Sequence, residues 1–193
     1  MKNQSQVWSN YWSKKRSFLK LTEYTPTYIN LKRYFRSLNI PKDAKILDAG
    51  CGTGKLASFW TNEGYDVIGI DLSDEALEIT EKKGVKTCKA DILEGLSFED
   101  GYFDMVYSDG LLEHFEDPEP ILRELFRVSN GYILTLVPRI ELYSQIMQFV
   151  LKPPKEYKRA DSEWINIHER LKPGIIHSKA IKFGVLSILC GIT

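Results

Sequence analysis

The chain has 193 residues, 43% of them hydrophobic and 27% charged, and carries no formal net charge at neutral pH. That balance suits one soluble globular domain with a full-sized core and excludes a chain dominated by disorder. The longest apolar run, residues 183–192, is too short to span a bilayer, and the polar start has no apolar segment behind it, so a cytoplasmic protein without a membrane span is expected.

Three cysteines, Cys51, Cys88 and Cys190, are odd in number and widely spaced. They suggest neither a disulfide framework nor a zinc site, and no metal is expected. The zero net charge hides an asymmetry. Residues 1–45 hold 10 Lys/Arg against 2 Asp/Glu, residues 46–131 hold 7 against 19, and residues 132–193 hold 9 against 5.

In chain order, Trp8, Tyr11 and Trp12 form an aromatic cluster at helical spacing. Tyr28, Leu31, Tyr34, Phe35 and Leu38 then predict an amphipathic helix ending before Pro41. From residue 45 the chain alternates. A strand over 45–50 leads to a helix over 54–63 that Gly64 closes, and a second strand covers 66–71. Ser73 caps a helix reaching residue 83, with Asp74 and Glu75 well placed in its first turn. Strands follow at 85–90 and 103–108, then a helix carrying Ile121, Leu122, Leu125 and Phe126, which Asn130-Gly131 stops before a fifth strand at 132–137. Such alternation predicts a parallel sheet with helices on both faces.

Beyond this point the pattern weakens. Leu142, Ile146, Phe149 and Val150 suggest a helix stopping at Pro153-Pro154. The charged stretch to Pro173 is read as irregular apart from a turn near Trp164, with the composition of a lid. Only a brief helical stretch at 177–182 and one strand at 185–190 follow. A single domain over 1–193 is expected, with a helical cover (1–40), a binding core (41–137) and a lid (138–177).

Chemistry concentrates in residues 45–57. Ile46 and Leu47 suit a strand covered on both faces, the glycines let the backbone turn sharply beside a ligand, and the following helix points its N-terminus there. The spacing is GxGxG, where a pyrophosphate fingerprint needs GxGxxG. Asp48, two residues ahead, suits a cationic ligand better than a phosphate. The run Asp48-Ala-Gly50-Cys51-Gly52-Thr-Gly54 resembles the cofactor motif of class I S-adenosylmethionine (SAM) dependent methyltransferases. It is most similar to the type 11 family typified by ubiquinone and menaquinone biosynthesis methyltransferases.

That resemblance implies a Rossmann-like three-layer α/β sandwich with a mainly parallel sheet and N-terminal helices across the mouth of the cofactor pocket. The aromatics there either shape an acceptor site or merely cover the sheet. Family members finish with an antiparallel sixth and seventh strand, so this C-terminus reads as shortened, leaving an edge near 185–190 that a second copy could pair with. Asp71, 17 residues after Gly54, is placed to accept from both ribose hydroxyls, a device NAD enzymes share. By resemblance Leu72 packs on the adenine, Asp91 accepts from its amino group and the Ile92 N–H meets a ring nitrogen. Leu112-Glu113-His114 matches a family segment, which places Ser108 and Asp109 at the methionine end. His114 is either a general base or, with Glu113, a clamp on the following loop.

The implied reaction moves a methyl group from SAM to a small-molecule acceptor, anionic or aromatic, leaving S-adenosylhomocysteine. An acidic middle suits a sulfonium, although segregated charge is also what solvated helix faces show. The Asn/Asp-Pro-Pro-Tyr segment and the Pro-Cys pair of nucleic-acid methyltransferases are missing. Lys152, Lys155, Lys158, Arg159 and Arg170 fit an anionic substrate, RNA or a solvated lid. The alternative is a SAM-binding but catalytically silent partner subunit or sensor.

Overall fold

Strand β1 (Lys45–Ala49) is apolar on both sides, so Ile46 packs into one core layer and Leu47 into the other, each fully buried. The computed structural model describes residues 4–22, 26–138, 154–171, 179–183 and 186–192. Before β1 come two helices, α1 (Gln4–Thr22) and α2 (Pro26–Arg36). After it run α3 (Lys55–Asn62), β2 (Asp66–Asp71), α4 (Asp74–Glu81), β3 (Lys86–Lys89), β4 (Phe103–Asp109), α5 (Glu119–Val128) and β5 (Ser129–Pro138). The described chain ends with α6 (Asp161–Leu171), β6 (Lys179–Phe183) and β7 (Leu186–Ile192).

These strands form one seven-stranded sheet in the order β3-β2-β1-β4-β5-β7-β6. The first five are parallel, with Leu47 opposite Ile68 on one side and Val106 on the other. β7 joins β5 antiparallel, Thr135 facing Leu189, and β6 closes that side antiparallel to β7. Above one face Leu31 and Phe35 of α2 pack with Leu56, Phe59 and Trp60 of α3 against Ile46, Val67, Met105 and Tyr107. Below the other, Ile121, Leu122 and Leu125 of α5 and Trp164 of α6 pack against Leu47, Val106 and Ile133. This is the Rossmann-like three-layer sandwich the sequence predicts. The strand order reverses between β1 and β4, and their carboxyl ends splay into a crevice there.

Three expectations are corrected. The sheet is not shortened: residues 179–183 are a strand, not a helix, and the run near 185–190 lies inside the sheet between β5 and β6. Lys-Ala-Ile-Lys-Phe fits either period over five residues, and antiparallel pairing with β7 decides it. Residues 161–171 are a full helix and not an irregular stretch. Its buried face is carried by Trp164 and His168, and the second is polar. His168 is accommodated because its Nδ1 donates to the Trp164 carbonyl (2.8 Å) while Nε2 accepts from the Thr135 hydroxyl (3.1 Å). Finally, Asn130 and Gly131 belong to β5 and do not end α5: Gly131 lies so close to β4 that a Cβ there would collide with the Asp104 carbonyl oxygen. The helix expected over 142–150 lies outside the described residues. No helix among the described residues is long and apolar enough to cross a membrane.

Candidate functional site

The β1–α3 turn is built from glycines with positive φ, and two of them have no alternative. A Cβ on Gly52 (φ 51°) would come 2.7 Å from the Trp12 ring, and one on Gly54 (φ 66°) 2.6 Å from Thr80. The turn is held by named bonds. Cys51 N–H donates to the Ile70 carbonyl (2.8 Å), and Thr80 donates to the Gly52 carbonyl (2.9 Å). At the end of β2, one oxygen of Asp71 accepts from Gly52 N–H and the other from Ser73 N–H, both at 2.9 Å. Asp71 therefore organises two loops at once. Burial raises its pKa above the ordinary carboxylate value.

Asp48 points beneath the turn. It is 3% exposed and accepts from the Tyr107 hydroxyl at 2.7 Å. Burial, with Asp109 and Asp71 nearby, pushes its pKa up to about 8 despite that bond. Asp109, at the end of β4, accepts from Tyr28 of α2 at 2.5 Å, and the Lys55 ammonium lies 3.9 Å from the Tyr28 ring centroid. Asp91 caps a 3-10 turn (Ile92–Glu94) through Leu93 N–H at 3.0 Å.

Helix α1 roofs these strand ends. Ser5 donates to the Leu72 carbonyl (2.8 Å) and Ser9 to the Ser73 hydroxyl (3.3 Å), which seats α1 on the β2–α4 corner. Trp8 stacks on Trp12 and meets the His114 ring edge-on at 4.7 Å. On the far wall Tyr157 N–H donates to the Glu113 carbonyl at 2.6 Å, and His114 Nδ1 donates to the Lys155 carbonyl at 3.0 Å. Residues 154–156 are thereby brought to the 3-10 turn Leu112–His114.

Together these parts enclose a cavity of about 490 Å³, within the range of small-molecule sites. Of the candidate residues, Asp48, Gly50, Cys51, Gly52, Asp71, Leu72, Asp91, Ile92, Asp109 and His114 all line it. Ser108 does not. It shares the face of Val106, two residues back along β4, and is fully buried in that layer. Glu113, Lys155 and Glu156 line the cavity as well; the sequence offers Glu113 within the Leu112-Glu113-His114 segment and Lys155 among its later basic residues, but gives no sign of Glu156.

Residues 47–135 match the family model for a methyltransferase domain. A malonyl-[acyl-carrier protein] O-methyltransferase from Hamiltonella defensa is 38% identical to this chain over 107 residues, covering 52% of this chain and 41% of that protein. A ubiquinone biosynthesis O-methyltransferase from Chromobacterium violaceum is 32% identical over 127 residues, 62% of this chain and 53% of its own. The chain thus spans about half the length of these curated relatives. In fold, the domain is similar to magnesium protoporphyrin IX methyltransferase from Synechocystis PCC 6803, solved with bound SAH, at a TM-score of 0.71 and 15% identity over 97% of this chain and 98% of that one. A SAM-dependent methyltransferase from Aquifex aeolicus shares the methyltransferase fold at a TM-score of 0.67 and 20% identity, over 83% and 88% of the two chains.

Proposed function

We propose that the chain binds SAM across the carboxyl ends of β1 to β4 and transfers its methyl group to a small, oxygen-bearing acceptor with aromatic or anionic character. The observation that carries this is the convergence of the glycine turn, Asp71, Asp91 and Asp109 on one cavity. The residues fit such a ligand. Each Asp71 oxygen accepts one backbone N–H and keeps a second lone pair, which suffices for two ribose hydroxyls. Asp91 uses one oxygen on Leu93 and has another for an amino group. Trp12 Nε1 is a buried donor beside Gly52 with no hydrogen-bond partner among the described residues, and a carboxylate in the cavity would satisfy it. Asp109 supplies negative charge toward a cation, and Asp48 adds to it once a sulfonium favours its ionised form.

When bound, SAM supplies an activated methyl electrophile. The chain's own part is to orient the acceptor and exclude water. Trp8, Tyr11, Tyr28 and Phe115 offer flat apolar surface to an acceptor ring, and Lys55 and Lys155, which also line the cavity, offer positive charge. His114 has its Nδ1 proton on the Lys155 carbonyl, which leaves Nε2 as the nitrogen able to take a proton. Burial lowers its pKa, which favours the neutral ring, the form able to accept a proton. The names of the relatives, O-methyltransferases acting in ubiquinone biosynthesis and on malonyl-acyl-carrier protein, agree with an oxygen acceptor. Calorimetric titration of the purified chain with SAM and S-adenosylhomocysteine tests the premise, and one site for each is expected. Transfer from methyl-labelled SAM into phenolic and carboxylate acceptors tests the chemistry; absence of binding sinks the whole reading.

A further inference from the structure

The cavity is lined by six carboxylates (Asp48, Asp71, Asp91, Asp109, Glu113, Glu156) against two lysines (Lys55, Lys155). Asp48 holds its proton and SAM brings one net positive charge, which still leaves more acidic side chains than positive charges in the cavity. That excess has a focus. Glu113, His114 and Glu156 each offer a ligand atom, all within 4.8 Å of one another.

Glu113 supplies an independent sign that something binds there. It is 5% exposed, and its Oε2 has no hydrogen-bond donor among the described residues. A buried carboxylate oxygen without a donor is costly, and the charges acting on it, Glu156 and Asp109, are of its own sign. The site is also framed as ligands are elsewhere. The Lys155 carbonyl takes the His114 Nδ1 proton, which fixes the ring and frees the other nitrogen, and Tyr157 N–H on the Glu113 carbonyl holds the two segments together.

We propose that Glu113, His114 and Glu156 hold one divalent transition cation of the zinc or manganese type at the acceptor end of the cavity. Two carboxylates and an imidazole favour such an ion over calcium or magnesium, which prefer oxygen-only shells. Three protein ligands leave coordination positions open toward the cavity. An acceptor oxygen would take one of them. With His114 Nε2 taken up as a ligand, the ion would replace the ring in activating the acceptor: it would anchor that oxygen, lower its hydroxyl pKa, and select acceptors with a second oxygen beside the first. That last role rests on the methyl-transfer reading, whereas binding of the ion does not.

The experiment therefore uses the metal alone, without SAM. After chelator treatment and dialysis, the full chain is titrated with Mn²⁺ and followed by paramagnetic resonance of the free ion, and with Zn²⁺ against a chromophoric chelator. One ion per chain is expected. Glu113→Gln and Glu156→Gln should each weaken it at least about tenfold, whereas Glu94→Gln, on the exposed 3-10 turn, should leave it unchanged. Glu156 is only half-buried, so its substitution keeps the test valid even where Glu113→Gln impairs folding. No ion bound to the wild-type chain, or an affinity that both substitutions leave intact, overturns the proposal. Metal binding without SAM binding would instead remove the methyl-transfer reading and leave the site standing.

Discussion

Asp71 and Asp48 face the same cavity with opposite assignments. Asp71 already accepts two backbone N–H groups, so Asp71→Asn leaves a buried donor facing an amide nitrogen, a cost of about 1–3 kcal/mol. The glycine turn loosens as a result. SAM affinity should fall at least about tenfold, or 1.4 kcal/mol, in calorimetric titration. Asp48 instead holds a proton: its pKa stands near 8 in the fold against an ordinary 3.8. The stability this residue contributes is therefore fully present below pH 4 and declines as pH rises toward 8. A sulfonium nearby favours the ionised form and reverses the preference. SAM binding at pH 7 should release a fraction of a proton, and affinity should climb with pH until it levels above about 8. Titrations in two buffers of different ionisation heat measure that proton, which Asp48→Asn should abolish.

At the scale of elements, α1 is the part that joins scaffold to chemistry. Trp12 and Trp8 line the cavity, whereas Trp60 and Trp164 are sealed in the two core layers. A SAM titration should therefore change tryptophan fluorescence, and Trp12→Phe should remove most of that change while the signal of the core indoles remains. An unchanged response in the variant would place the ligand away from α1. Much of this was legible beforehand, because glycines, strand-end carboxylates and aromatics at helical spacing each have a local signature. Ser108 differs from the other candidates because alternation along β4 sets its side chain on the face of Val106, a register that position at a strand end does not reveal. Helix α6 escaped notice because one of its two buried residues is a histidine whose partner, Thr135, lies 33 positions away. Lys155 and Glu156 reach the site through bonds spanning 41 residues, which no local pattern announces.

For the whole molecule, the decisive difference lies at the C-terminal end of the sheet. β7 is paired on both sides, to β5 and to β6, so the edge expected near 185–190 is filled from within the chain. Hydrogen exchange should show residues 186–192 protected to a degree approaching β5. Rapid exchange there would reinstate an open edge. The five parallel strands could be read from alternation of apolar runs and helical periods. Of the last two, β7 could be read as the strand at 185–190 and β6 could not, since five residues without turn chemistry leave helix and strand equally open until a neighbour arrives.

The docking of α1 also dictates an order of events during synthesis. Its anchors Ser5 and Ser9 bond to residues 67 and 64 positions later, and Trp8 rests against His114. As the chain leaves the ribosome, α1 has nothing to pack on until β2, α4 and the turn after β4 have followed it. It is made before its supports and seated after them, so Trp8 and Trp12 stay uncovered on the unfinished chain in the interval.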